Sequence, residues 1–209
     1  MKMITANVSL ERACPGVIWF TGRPGAGKTT IAQGVKEVLD HLNFRTYILD
    51  GDRLRRGLNA DLGYDRAARN ENIRRALEVS KLLMEAGALV LSAFITPFRE
   101  HRRLLREQFQ GRSFLEVYVK CGLAECQKRD PKQLYFQANA GMIADFTGLT
   151  SPFEEPESPD LVVDTEQLNI AASIDMVLNA IDQGFDLSIE NLSSTRKELQ
   201  LGGLMNYGY

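Results

Sequence analysis

Val17-Ile18-Trp19-Phe20-Thr21 runs without a break into Gly22-Arg23-Pro24-Gly25-Ala26-Gly27-Lys28-Thr29, and apolar residues at helical spacing follow at Ile31, Val35, Val38, Leu39 and Leu42. This order demands a strand, a tight glycine turn and a helix, which restricts the chain to few folds. The turn matches G-x-x-x-x-G-K-[ST] at every fixed position. Its glycines let successive N–H groups surround phosphates, Lys28 reaches the outer oxygens, and the Thr29 hydroxyl suits magnesium. A nucleoside triphosphate is the expected ligand. A chance glycine-rich turn is the competing reading, and the flanking strand and helix patterns weigh against it.

Short apolar runs recur at 17–21, 46–49, 88–94, 114–119 and 161–163, with helical patterns near 28–42, 69–86, 98–109, 122–129 and 167–183. The alternation predicts an α/β fold with a mainly parallel five-stranded sheet covered by helices on both faces. Residues 131–160 carry Pro131, Gly141, Gly148, Pro152, Pro156 and Pro159 without a long period and read as a loop or lid. One domain over residues 1–184 is expected, with 185–209 as a polar extension of unassigned role.

Twenty-five Lys and Arg against 27 Asp and Glu give a formal charge of -2, which supplies no global field for nucleic acid or an anionic membrane. Cys14, Cys121 and Cys126 lack zinc spacing and suit buried, reduced thiols in the cytoplasm. No signal peptide or membrane span is expected from the apolar runs.

Ligands of parallel α/β sheets sit beyond the carboxyl ends of the strands. There the second strand ends Leu49-Asp50-Gly51-Asp52-Arg53-Leu54-Arg55-Arg56. Asp52 is the candidate to orient or deprotonate an attacking hydroxyl, whereas Asp50 reads equally well as a helix cap. Tyr64 precedes Arg69 and Asn72, which share a helix face and suit an acceptor both aromatic and anionic. Arg74 and Arg75 read as solvated helix charges. The third strand ends Phe94-Ile95-Thr96-Pro97-Phe98-Arg99 near the same cleft.

These strings, with Gly57-Leu58-Asn59-Ala60-Asp61-Leu62-Gly63-Tyr64, Glu71-Asn72-Ile73-Arg74-Arg75, Arg129-Asp130-Pro131-Lys132 and Phe146-Thr147-Gly148, resemble the adenylylsulfate kinase family in content and order over residues 15–165. The resemblance implies a P-loop nucleoside triphosphate hydrolase-like, three-layer α/β/α fold. It implies transfer of the γ-phosphoryl of ATP, with Mg2+, to the ribose 3′-hydroxyl of adenosine 5′-phosphosulfate in sulfate assimilation. By position, residues 22–29 with Thr30 and Arg129 would bind ATP, and Thr29 and Asp52 the metal. Asp52, Lys28 and Thr96 would form the catalytic set. Asp52, Arg55, Arg69, Asn72, Ile95, Thr96 and Lys132 would hold the acceptor, with Tyr64 and Phe146 sandwiching its adenine. A homodimer and an association with ATP sulfurylase are the implied partners.

Several positions depart from the family pattern. Thr96 stands for a serine described as a phospho-intermediate, Tyr64 for Phe, Ala68 for an aspartate beside Arg69, and Thr150 for an aspartate. The stretch Gln133-Leu134-Tyr135-Phe136-Gln137-Ala138-Asn139 lacks three cations, and Arg23-Pro24 replaces small residues. A kinase of another nucleotide-linked acceptor, or a non-catalytic nucleotide-binding partner of ATP sulfurylase, are the alternatives these departures leave open.

Overall fold

The computed structural model describes residues 11–185 and 187, so most of the expected 185–209 extension lies outside the described residues. Five strands, β1 (Gly16–Thr21), β2 (Thr46–Asp50), β3 (Leu89–Ala93), β4 (Phe114–Lys120) and β5 (Leu161–Asp164), form one sheet in the order β2-β3-β1-β4-β5. All four pairings are parallel, where the sequence predicted a mainly parallel sheet. The two fully buried strands, β1 and β3, lie inside the sheet, and the partly exposed β2 and β5 form its edges.

Strand alternation sends Ile18 and Phe20 to one face and Val17 and Trp19 to the other. On the first face α1 (Lys28–His41) and α7 (Ile170–Phe185) bury Ile31, Val35, Val38, Ile174, Val177 and Leu178. On the second, α3 (Arg66–Glu85) buries Ile73, Ala76 and Leu77, and α4 (Arg99–Gln108) buries Leu105. The three-layer expectation holds. α3 starts three residues before its predicted start because Asp65 caps it, accepting from Ala68 N at 2.9 Å.

The short helix α6 (Leu134–Asn139) falls in the stretch read as loop, α2 (Gly51–Arg55) follows the cap reading of Asp50, and α5 (Leu123–Arg129) lies between β4 and α6. α6 is held by Asp130, whose carboxylate oxygens accept from Tyr135 N at 3.1 Å and Phe136 N at 2.9 Å. The 131–160 segment is therefore more ordered than its proline and glycine content suggested, with a bridge between Thr147 and Ser151 as well. No helix among the described residues is long and apolar enough to cross a membrane.

The chain leaves β1 at Gly22, where a Cβ would stand 2.4 Å from the Val119 carbonyl oxygen, at φ +153°. Only glycine lets β1 enter the turn while β4 stays paired beside it. Gly22→Ala is expected to lower stability by roughly 1–3 kcal/mol in a urea titration. Gly57→Ala, with nothing within 4 Å of the added methyl, should shift it by no more than about 0.5 kcal/mol.

Candidate active site

Beyond the carboxyl ends of the strands lies one continuous cavity of about 1000 Å³, lined by the phosphate loop, the ends of β2 and β3, α3, and residues 129–147. It brings together every residue expected to bind ATP or acceptor except Gly22 and Arg23. Gly22 sits behind the cavity wall, its N–H on the Ile95 carbonyl at 3.4 Å. The Arg23 side chain turns away, to the Cys121 carbonyl and Glu155, so only its backbone remains on the donor side. The expected place of Arg23 in the ATP-binding loop thus holds for its backbone and not for its cation, whose aim the sequence left open.

Lys28 Nζ donates to the carbonyls of Gly22 at 2.9 Å and Arg23 at 2.7 Å. These contacts hold the ammonium over the loop that would receive phosphates. Its pKa is lowered to about 8, chiefly by burial, against the opposing pull of Cys126, Asp52 and Asp50. Thr29 Oγ1 donates to Asp50 Oδ2 at 2.8 Å. The other Asp50 oxygen caps α2, accepting from Asp52 N at 2.9 Å and Arg53 N at 3.1 Å. Asp50 is therefore both the cap that the sequence allowed and the carboxylate in contact with Thr29, a role the sequence reading gave to Asp52. Thr29 and Asp50 offer the hard oxygen donors that magnesium takes alongside phosphate and water.

Asp52 is half-exposed on the first turn of α2 and pairs with Lys132 Nζ from across the cleft. Arg129 lies behind the loop, donating to Thr165 Oγ1 at 3.0 Å and to the Thr165 carbonyl at 2.8 Å, and Thr165 Oγ1 reaches the Ala26 carbonyl at 3.2 Å. This backing was not legible, because Thr165 follows a short edge strand with no motif.

On the acceptor side Arg69 donates to the carbonyls of Tyr64, at 2.7 Å, and Asp145. Backbone oxygens thus replace the aspartate partner that Ala68 cannot supply. Burial, then the nearby Arg55 charge, holds the Arg69 pKa below its usual value. Asn72 Oδ1 accepts from Asn59 Nδ2 at 2.9 Å. Arg55 lies over the Tyr64 ring at 4.2 Å and donates to the carbonyls of Leu62 and Gly63, where a contact to the acceptor's anionic groups was expected.

Phe146 is buried and meets Tyr135 edge-on at 4.9 Å, while Tyr64 is half-exposed. Tyr135 donates its hydroxyl to the Pro24 carbonyl at 3.0 Å, which ties α6 to the phosphate loop. Thr150 replaces the family's aspartate without loss of the turn, since its Oγ1 accepts from Phe146 N at 2.8 Å.

Thr96 departs from expectation. It sits at φ +45° with no exposed surface, and its hydroxyl accepts from Trp19 Nε1 at 2.8 Å. Its carbonyl accepts from Arg102 at 2.7 Å, and the Ile95 carbonyl accepts from Thr21 Oγ1 at 2.8 Å. These backbone oxygens are engaged within the fold, and the buried hydroxyl corrects the assignment of Thr96 to the catalytic set. The fixing residues, Trp19 and Arg102, carried no motif that would have marked them.

The family model described as Adenylylsulphate kinase matches residues 14–164. An adenylyl-sulfate kinase of Geotalea uraniireducens is 48% identical over 169 residues, 81% of each chain. The structure of the Mycobacterium tuberculosis APS kinase CysC in complex with AMPPNP and APS superposes with a TM-score of 0.78 at 41% identity, covering 82% of this chain and 99% of that one. A hexameric APS kinase from Thiobacillus denitrificans gives a TM-score of 0.62 at 27% identity, over 83% of this chain and 30% of that one. With the strand, phosphate loop and two-sided cleft in place, the chain belongs to the adenylyl-sulfate kinase family.

Proposed function

We propose that the chain transfers the γ-phosphoryl group of MgATP to the ribose 3′-hydroxyl of adenylyl sulfate, giving 3′-phosphoadenylyl sulfate and ADP. The observation that carries this reading is the single cavity, in which the phosphate loop and the Tyr64, Arg69, Asn72 and Phe146 wall face a common space. A donor and an acceptor fit there side by side.

In this reading the loop N–H groups take the phosphates. Lys28 exchanges the Gly22 and Arg23 carbonyls for phosphate oxygens, which a mobile ammonium does at little cost. Magnesium, when bound by Thr29 and Asp50, neutralises charge on the triphosphate. Asp52 exchanges Lys132 for the 3′-hydroxyl and takes its proton as that oxygen bonds to the γ-phosphorus and the bond to the β–γ bridging oxygen breaks. ADP carries the released electron pair away. Lys132, freed from Asp52, stands beside the transferring group. Phe146, fixed by Tyr135, is one wall for the adenine and Tyr64 the other. Residues 131–160 act as the lid that excludes water, which would otherwise compete as acceptor. Thr96 serves through position, and transfer is direct.

The reading extends to setting. Free thiols at Cys14, Cys121 and Cys126 suit a reducing cytoplasm. Self-association draws support from the hexameric relative, and the homodimer is the form proposed for this chain. Association with ATP sulfurylase belongs to the same proposal.

Incubation with MgATP and adenylyl sulfate should yield the 3′-phosphorylated product by chromatography. Turnover of a different nucleotide-linked acceptor instead, or nucleotide binding with no turnover, would overturn the assignment. Asp52→Asn is expected to cut kcat about 10²–10⁴-fold while leaving ATP binding close to wild type. Unchanged turnover removes Asp52 from the proton transfer.

The lowered Lys28 pKa gives a pH signature. Below pH 8 the free enzyme carries the ammonium that draws in triphosphate, and above it the charge is lost. The kcat/KM for MgATP should therefore fall on the alkaline side with a midpoint near 8. In Lys28→Arg, whose guanidinium does not titrate there, that limb should vanish even if overall activity drops.

A further inference from the structure

The family-atypical Arg23 stands at a junction. Its carbonyl accepts from Lys28 Nζ at 2.7 Å, so its own peptide is part of the donor wall. Its guanidinium runs the opposite way, donating to the Cys121 carbonyl at 3.2 Å and to Glu155 Oε1 at 3.3 Å, and lying 4.9 Å over the Phe153 ring. Its stem packs under the 146–151 turn, with Cδ 3.9 Å from where a Cβ on Gly148 would stand. Phe153 in turn stacks on Tyr118 at 6.2 Å.

Between those two partners, Glu154 is fastened to the acceptor side. Its N–H donates to the Pro97 carbonyl at 2.9 Å and its carboxylate accepts from Arg99 N at 2.7 Å. Its carbonyl accepts from Arg102 at 2.6 Å, and the same guanidinium donates to the Thr96 carbonyl at 2.7 Å. One side chain thus joins the peptide that holds Lys28 to Gly148, next to the cavity-lining Phe146 and Thr147, and to the 153–155 segment, which Glu154 fastens to the 96–99 turn.

We propose that Arg23 couples the two substrate sites. A triphosphate in the loop draws Lys28 off the Gly22 and Arg23 carbonyls and resets that peptide; Arg23 transmits the change to 146–155, so each substrate tightens the other. The coupling is reciprocal by thermodynamic linkage. Arg23 acts as a positioning residue, since its side chain reaches neither substrate. The inference rests on the kinase reading above.

The test is calorimetric titration of adenylyl sulfate with and without magnesium and a non-hydrolysable ATP analogue. Wild type is expected to bind adenylyl sulfate about fivefold or more tightly when the analogue is present. In Arg23→Ser that gain should fall below about twofold, with the affinity measured without analogue changed by less than about twofold. Glu155→Gln, on a half-exposed side chain, should reduce the gain in the same direction and add little to Arg23→Ser, as members of one contact do, whereas a purely structural role would weaken adenylyl sulfate binding alike with and without the analogue. It also carries the test should the serine variant fail to fold. A gain retained in both variants, or absent from wild type, overturns the coupling alone. Wild type that binds no adenylyl sulfate in either condition overturns the kinase reading and the coupling together.

Discussion

The close approach of Gly22 to the Val119 carbonyl governs the position of everything else in the cleft. β1 lies between β3 and β4, and the chain must turn out of it while both neighbours continue. Because Gly22 has no side chain, the turn stays against β4, and its N–H meets the Ile95 carbonyl just past β3. The phosphate loop, the 95–97 turn and the start of α5 are thereby held at one edge of the sheet. A parallel sheet offers that edge to ligands in any case. Here the contact fixes donor and acceptor walls to the same strand end.

Around that edge the fold buries cations and satisfies them with carbonyl oxygens. Arg102 is held by Thr96 and Glu154, and Arg69 by Tyr64 and Asp145. Burial lowers the pKa of both. A hydrogen bond to a charged group contributes about 1.5–3 kcal/mol, enough to offset part of that desolvation and to hold an irregular segment in place. Arg69 is thus a spacer between the loop bearing Tyr64 and the one bearing Phe146. The distance between the expected stacking rings depends on that guanidinium as well as on the rings.

The sheet and five of the helices were legible because each rests on a local pattern: apolar runs, helical spacing, glycine at a turn. Of the residues lining the cleft, the phosphate loop was legible in the same way, whereas Lys132 and Phe146 were carried by the family resemblance, and Thr165, Leu168, Ile170 and Ser173 by nothing. α2 and α6 are too short for a period to show; α2 was signalled only by the possible cap at Asp50, and α6, which depends on Asp130 for its start, by nothing. Cleft membership was readable from strand ends, but contacts were less so. Asp50 reaches Thr29 across 21 residues, and Arg69 finds backbone oxygens that no side-chain pattern encodes. Thr96 misled because a hydroxyl at a strand end looks reactive, whereas Trp19, 77 residues away, takes it into the core.

The altered lid bears on the identity of the acceptor. The positions where family cations are missing, Phe136, Gln137 and Asn139, do not line the cavity, and the Phe136 side chain is 66% exposed. The residues of the same segment that do line it include Lys132, Tyr135 and Phe146, with Pro131, Leu134, Ile143 and Thr147 beside them. Lys132 meets Asp52, Tyr135 meets Pro24, and Phe146 meets Tyr135, so the inner face of the segment keeps its ties to both halves of the site. Charges on an outer face act through solvent and are screened over about 8–10 Å at ordinary salt. Their loss weakens the long-range pull on anionic nucleotides and leaves the shape and polarity of the acceptor wall intact. Selectivity is set by the groups an acceptor touches, whereas rim charge sets how fast it arrives. The substitutions therefore favour slower capture of the same acceptor over a change of acceptor.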